Sequence, residues 1–337
     1  MRIGLVYDLR KDYLEMGFSE EETAEFDSEN TIEEVSSALE TLGYQVMLVG
    51  NILNLNSCLA LGERWDLVFN IAEGIFGRSR EAQVPALLEA FGIPYTFSDP
   101  LTLAICLDKA ITKRIVRDSG IPTPWFFQVT SPEDLERIPR INSWPIFLKP
   151  VSEGTGKGID ACSIVNNQEE LNQRCIHLLE RFRQPILAET YLPGREFTVG
   201  ILGTGSEARA IGAMEVHLLE SAEPRVYSYI NKEQCELLVH YELVRDSKII
   251  NEAFDVALKA YVALECRDAG RVDLRTNAQG KLEFIEINPL AGLNPTHSDL
   301  PMLCEKAGMP YLSLIGSIVE SASKRIVKHR LFFQTKH

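Results

Sequence analysis

No run of about 20 apolar residues occurs in the 337-residue sequence, and no basic segment followed by a longer apolar one opens it. A membrane span and a cleaved leader are therefore not expected, and a cytoplasmic location is. The seven cysteines (Cys58, Cys106, Cys162, Cys175, Cys235, Cys266 and Cys304) form no C-x-x-C pair and have no histidine at zinc-ligand spacing. They read as reduced and buried. No lysine and arginine stripe with interleaved aromatics offsets the formal net charge of −14, so a nucleic acid is not an expected partner. An anionic ligand would need a few placed lysines. Nucleotide motifs are missing too: Gly156-Lys157 is followed by Gly158 rather than Ser or Thr, and Tyr7-Asp8-Leu9-Arg10 stands where a G-x-G-x-x-G would follow the first strand. No persuasive Ser-His-Asp or Cys-His arrangement points to a protein nucleophile.

What is present describes a folded, multidomain chain. Apolar residues at 45% and charged residues at 24% are ordinary for a globular protein, and the length exceeds the ~250–300 residues at which one core stops growing. Strand-like runs at Ile3 to Tyr7, Gln45 to Val49 and Leu67 to Ile71 alternate with helical stretches at Thr31 to Leu42 and Ala82 to Phe91. These βα units predict an open parallel sheet. Ser28 to Asn30 offer caps to the helix that Gly43 ends. The acidic stretch Ser19 to Asn30 reads as a solvated loop, with a substrate-facing lid as the alternative. A break at Ser119-Gly120-Ile121-Pro122 and strand-like Ile186 to Leu192 divide the remainder. The expected domains are 1–105, 106–185 and 186–337. The basic, aromatic tail from Lys324 to His337 reads as a terminal helix with snorkelling cations.

The strongest chemical signal is a predicted hairpin, Arg271 to Arg275, a turn at Asn277 to Gly280, then Phe284 to Asn288. If Asn277 pairs with Gly280, Arg271 lies opposite Glu286. Alternation then puts Arg271, Asp273, Glu286 and Asn288 on one face, with Val272, Leu274, Ile285 and Ile287 on the other. Two carboxylates and an amide suit a hard cation such as Mg²⁺. An arginine beside them suits a transferring phosphoryl group. A surface hairpin of alternating charge would look the same in isolation.

A second signal is Lys149-Pro150 followed by Glu153-Gly154-Thr155-Gly156-Lys157-Gly158. Glycines let backbone N–H groups approach phosphate oxygens, although such a loop can equally be a plain turn.

Taken in order, Lys109, Lys149 with its glycine loop, Glu189 to Glu196, Lys232, and Arg271 to Asn288 resemble the ATP-grasp superfamily. Within it, the resemblance is to the D-alanine–D-alanine ligase family over nearly the whole chain. It implies an α/β ATP-grasp fold: an N-terminal open parallel sheet domain plus two α+β domains enclosing ATP. By that resemblance Lys109, Lys149 and the loop residues Glu153, Gly154, Thr155, Gly156 and Gly158 would bind ATP phosphates. Glu189 and the backbone of Tyr191 and Leu192 would read adenine, and Glu196 would hold the ribose. Lys232 would reach the γ-phosphate. Asp273, Glu286 and Asn288 would hold two Mg²⁺ ions, with Mn²⁺ as a substitute, while Arg271 and Gly292 would stabilise the tetrahedral intermediate. A homodimer through the first domain is also implied.

The departures fall at substrate positions. Ala72-Glu73-Gly74 replaces the family's His-Gly pair, Thr155 replaces a serine, and Glu233 replaces a tyrosine; Ser298 resembles a serine that binds the second substrate's carboxylate. The family's N-terminal glutamate has no secure match among Glu20, Glu21, Glu22 and Glu25. Glu73 or Glu233 is expected to hold a substrate ammonium, and Arg78 or Arg80 a substrate carboxylate. Three functions stay open: a ligase joining other amino acids, a D-alanine–D-alanine ligase, and a nucleotide-binding protein without turnover. The departures favour the first.

Overall fold

The computed structural model describes residues 1–138, 140–223, 225–226 and 228–334. Tyr227, in the segment that carries Lys232, and the tail's last residues, 335–337, lie outside the described residues. Strands β1 (Arg2–Val6), β2 (Gln45–Gly50) and β3 (Leu67–Asn70) form a parallel sheet in the order β2–β1–β3. A parallel sheet needs cover on both faces, which is why its strands are almost continuously apolar. One face packs on the helix Glu29–Thr41, through Val35 and Leu39. The other buries Val6, Val49 and Val68 against Leu55, Leu59 and Leu88. Ser28 caps the helix by accepting a hydrogen bond from the Thr31 amide at 3.3 Å, and Gly43 ends it at a φ of +87°.

Two features of this region depart from expectation. The stretch 19–30 is packed at its centre, where Thr23 is fully buried and the Phe26 ring lies 4.5 Å from that of Tyr13, while Glu20, Glu22 and Ser28 to Asn30 stay exposed. Aromatic burial outweighs the cost of ordering an acidic segment. Leu314, Ile315, Ile318 and Val319 of the last helix, Tyr311–Gln334, also complete the core of this first sheet.

Strands β4 (Phe126–Val129), β5 (Ile146–Pro150), β6 (Ile164–Val165) and β7 (Ile186–Thr190) make an antiparallel sheet ordered β4–β7–β5–β6. Leu171, Cys175 and Leu178 of the helix Gln168–Phe182 cover it. The segment 186–190 is thus hydrogen-bonded into the second sheet. The third sheet contains β8 (Glu196–Leu202), β9 (Arg209–Leu218), β10 (Val239–Leu243), β11 (Ala269–Thr276) and β12 (Leu282–Asn288), ordered β10–β9–β8–β11–β12. The helix Ser247–Ala263 packs on one face of it; the opposite face carries the polar residues.

Candidate active site

Asp273 pairs directly with Glu286, and Arg271 with Asn288, across β11 and β12. All four side chains therefore share a face, but in a register two residues from the one expected. The loop is longer, closing where Asn277 N–H donates to Lys281 O at 2.9 Å, and the pairing shifts between Asp273 and Leu274. That irregularity leaves Ile285 half-buried and sends Phe284 into the core with Val272, Leu274 and Ile287.

Arg271 Nη1 lies 3.0 Å from Asp273 Oδ2 and 2.6 Å from Asp299 Oδ2. Thr198 Oγ1, from the neighbouring β8, donates to Asp273 Oδ1 at 2.8 Å. Burial pushes Asp273 up to about 6, with Arg271 opposing and Glu286 reinforcing. Glu286 is half-buried, and the charges of Lys109, Lys149, Lys232 and Arg271 outweigh its desolvation and hold it well below the usual carboxylate range. The amide nitrogen of Asn288 is buried without a hydrogen-bond partner, so this side chain is set for a ligand rather than a protein group. An oxygen-only set of two carboxylates and an amide fits a hard divalent cation. Among the described residues no three His, Cys, Asp or Glu side chains are placed to hold an ion by themselves; this trio would leave positions for water and phosphate oxygens.

Lysines approach this face from the second sheet and its leading helix. Lys109 opens the helix Lys109–Asp118; its ammonium donates to Glu153 O at 2.6 Å and lies 3.6 Å from Glu286 Oε2. Lys149, on β5, and Lys113, one helical turn after Lys109, each reach Glu189 at 2.9 Å. Glu189 is 3% exposed, and its two cations overcome the burial that would raise it, so its pKa is lowered. Its oxygens are engaged by ammonium groups. Lys113, fully buried, carries a role that the spacing argument did not assign. Tyr191 stacks beneath the Arg275 guanidinium at 5.3 Å, Leu192 is buried, and Glu196 pairs with Arg275 at 3.3 Å. These three sit together where β7 passes into β8.

The glycine loop is engaged by Glu25, from the packed acidic stretch. Glu25 Oε1 accepts the Gly154 amide at 2.5 Å, and Oε2 meets Arg80 at 2.9 Å and Lys157 at 3.1 Å. Burial opposes ionisation of Glu25, but Arg80 and Lys157 prevail and lower its pKa. A carboxylate thus occupies a backbone N–H of the kind that phosphate oxygens use. A Cβ on Gly154 would fall 2.2 Å from Glu25 Oε1, so glycine alone allows this approach. Gly156 and Gly158 both adopt left-handed backbone, φ +72° and +76°, and Thr155 lines the cavity beside the loop.

That cavity, of about 430 Å³, is lined by Lys109, Lys232, Glu233, Arg271, Glu286, Asn288, Gly292 and Ser298 among others. Glu73 reaches it as well; Arg78 and Arg80 do not. Arg80 is committed to Glu25 and Ser152 O, at 2.9 Å each, and Arg78 to Asp108 at 2.6 Å. This placement lends no support to the expectation that either holds a substrate carboxylate. Asp27, Glu81 and Asp299 line the cavity unforeseen, since nothing in their local sequence separates them from surface acids.

A family model described as D-ala D-ala ligase C-terminus matches residues 115–320, more than half of the chain. The chain belongs to the D-alanine–D-alanine ligase family. An uncharacterized protein of Sinorhizobium fredii is 32% identical over 305 residues, covering 86% of this chain and 87% of its own. A protein of Aquifex aeolicus named D-alanine–D-alanine ligase is 32% identical over 288 residues, 85% and 92% of the two chains. A solved D-alanine–D-alanine ligase from Bacillus anthracis, complexed with ATP, superposes with a TM-score of 0.73 at 23% identity over 97% of this chain and 99% of that one. The fold is ATP-grasp. The acids Asp27, Glu73, Glu81 and Glu233 lie along the wall of its cavity. No helix among the described residues is long and apolar enough to cross a membrane.

Proposed function

We propose that this protein is an ATP-dependent ligase that activates the carboxylate of one amino acid as an acyl phosphate and joins it to the amine of a second, releasing ADP and phosphate. The observation that carries the reading is the direct pairing of Asp273 with Glu286, beside Arg271 and facing Lys109 at 3.6 Å from Glu286. In this reading Asp273, Glu286 and Asn288 would hold Mg²⁺, whose charge would offset that of the phosphates so that two anions can meet. Lys109, Lys149 and Lys232 draw the triphosphate to the same face, and the 154–158 loop closes over it. The substrate carboxylate displaces ADP from the γ-phosphorus. The second amine, deprotonated, then adds to the acyl carbon while Arg271 and the backbone at Gly292 stabilise the oxyanion, and phosphate leaves. No protein nucleophile is required. The adenosine would lie by Tyr191, Leu192 and Glu196, and the three sheets would act as three domains around the cleft.

A second reading, joining of two D-alanines, is favoured by the name of the Aquifex aeolicus relative. Against it stands the carboxylate of Glu73 in the cavity wall, where the family has histidine. ATP-dependent phosphate release across D- and L-amino acids, singly and in pairs, with products identified by mass, decides between them. Release with D-alanine alone and a D-alanine dipeptide as product would establish the second reading. Absence of phosphate release with every pair, at saturating Mg²⁺, would overturn both.

A further inference from the structure

The proposed reaction needs a group that takes a proton from the second amine, because an ammonium has no lone pair with which to attack an acyl carbon. The carboxylates around the cavity are poorly suited to that task. Arg271 holds both Asp273 and Asp299, Glu233 is paired with Arg10 at 3.6 Å, and Glu286 is kept well below the usual carboxylate range by the cations around it. Burial pushes Asp27 up to about 8 and raises Glu73, so both keep their protons at neutral pH. Glu81, pushed up by burial to about 7, belongs to the segment after β3 and not to the one that carries Gly292. His297 is the one imidazole among the described residues that line the cavity. A base works best when its pKa lies near the operating pH, which is where an imidazole titrates.

The fold brings this histidine against a thiol 62 positions away: His297 Nδ1 lies 3.7 Å from Sγ of Cys235, which is buried where the helix Cys235–Leu238 begins. Both residues line the cavity. Among the described residues His297 Nε2 has no hydrogen-bond partner. With the hydrogen on Nδ1, that N–H donates to the sulfur and the lone pair stays on Nε2. The segment is fixed by its own turn, in which Asn294 Oδ1 accepts the Thr296 and His297 amides and Ser298 Oγ accepts the Asn294 amide, each at 3.1 Å. Its residues touch both groups assigned to the oxyanion. A Cβ on Gly292 would fall 2.7 Å from Ser298 Oγ, and Asp299 holds Arg271 at 2.6 Å. His297 thus stands beside the place where amine and acyl carbon would meet. We infer that His297 is the general base of the second half-reaction, with Cys235 positioning its ring. The inference deepens the proposed ligase function and rests on it. Nε2 removes one proton from the ammonium, and the freed lone pair forms the C–N bond. The bond from the acyl carbon to the phosphate oxygen then breaks, and the second N–H proton leaves with phosphate. The ring is exposed, so the imidazolium can return its proton to water. The contact with Cys235 raises the His297 pKa; burial opposes, and the charges of Glu233 and Asp299 reinforce.

The test compares two nucleophiles on the full-length protein with ATP, saturating Mg²⁺ and each amino acid in turn as acyl donor. Hydroxylamine is unprotonated at neutral pH and needs no base; it captures the acyl phosphate as a hydroxamate. An amino acid arrives as an ammonium and does need one. His297→Asn keeps a donor toward Cys235 and removes the nitrogen that takes the proton. It should form hydroxamate at the wild-type rate, which also shows that it is folded, while peptide formation falls by about 100-fold or more. Wild-type peptide formation should rise with pH as His297 loses its proton, and the variant should lack that limb. Cys235→Ala should leave hydroxamate formation intact and move the limb to lower pH, since the contact that raises His297 is gone. Peptide formation in His297→Asn within about threefold of wild type, below what a general base contributes, overturns the inference, as does an equal fall in both products. Loss of hydroxamate in Cys235→Ala would make the thiol an acyl carrier and overturn it too. No hydroxamate from the wild type with any amino acid sinks the ligase reading itself, and the base with it.

Discussion

Lys113→Met isolates the buried contact that ties the second sheet to the third. The Lys113 ammonium lies 2.9 Å from Glu189 Oε2, 3.0 Å from Thr123 Oγ1 and 3.1 Å from the carbonyl of Phe284 on β12. At an effective dielectric near 20, the ion pair alone amounts to about 6 kcal/mol of Coulomb attraction. Much of this is offset by stripping water from a fully buried ammonium. Deleting one partner of a buried pair generally costs ~3–5 kcal/mol, because the survivor is left charged and dry. Here Lys149 still holds Glu189 at 2.9 Å, which places the expected loss at the lower end, about 3 kcal/mol. At ~2–4 °C per kcal/mol the melting midpoint should fall by roughly 6–12 °C, with the length of this chain favouring the smaller figure. Scanning fluorimetry and urea titration of wild type, Lys113→Met, Glu189→Gln and the double variant would measure it. The double variant should be less destabilised than the sum of the singles, since each removes the partner of the other. A Lys113→Met midpoint within about 1 °C of wild type, or strict additivity, would show that the pair does not support the cleft.

Asp27→Asn should change the pH dependence of stability. Burial, with the nearby charge of Asp8, pushes Asp27 up to about 8 from an ordinary 3.8. Between those values the unfolded chain has released a proton that the folded chain keeps, so stability falls as pH rises through the window. The variant should therefore gain on wild type steadily from pH 4 to pH 8 in urea titrations; a difference flat in pH refutes this. Gly156→Ala should raise the KM for ATP about tenfold and lower stability by ~1–2 kcal/mol, since the new Cβ would sit 2.9 Å from Tyr229 N at a φ of +72°. Steady-state kinetics with wild-type values for the alanine variant would show that the loop needs neither its conformation nor its contact.

The hairpin shows what a local pattern can and cannot carry. The expected turn paired Asn277 with Gly280, whereas the observed one closes Asn277 on Lys281, a change that by itself would flip every side chain beyond it. The irregularity after Asp273 absorbs one residue and flips them back. Beyond that point parity is restored, so Arg271, Asp273, Glu286 and Asn288 share a face as alternation predicts. Between the turn and the irregularity parity stays reversed, and Phe284 rather than Ile285 enters the core. The hydrophobic pattern contained the clue: Leu282, Phe284 and Ile287 are strongly apolar, and no uniform alternation buries all three. The βα units and the caps at Ser28 and Gly43 were legible because their causes lie within one turn of the residue concerned. Helix Tyr311–Gln334 on the first sheet was not, because amphipathicity tells a helix to pack without saying against what.

The acids of the cleft make the same point in electrostatic form. Sequence neighbours do not assign the roles of Glu25, Glu73 and Glu81: Glu25 lies in an acidic stretch with no basic residue closer than Lys11, whereas Glu73 and Glu81 flank Arg78 and Arg80. Arg80 stands one residue before Glu81, yet its guanidinium goes to Glu25, 55 positions away. Lys157, 132 positions from Glu25, joins it there. Glu25 thereby becomes a low-pKa bridge between the first sheet's loops and the glycine loop, while Glu73 and Glu81 are left to protons or to a ligand. A carboxylate's function is decided by which cation the topology delivers to it, and sequence neighbours are a poor guide to that delivery. Glu73 could be singled out in the sequence only because a carboxylate replaces the family's histidine there. Its lack of a direct ion pair, which makes the replacement chemically meaningful, follows from the hydrogen bonds that commit Arg80 to Glu25 and Ser152 O.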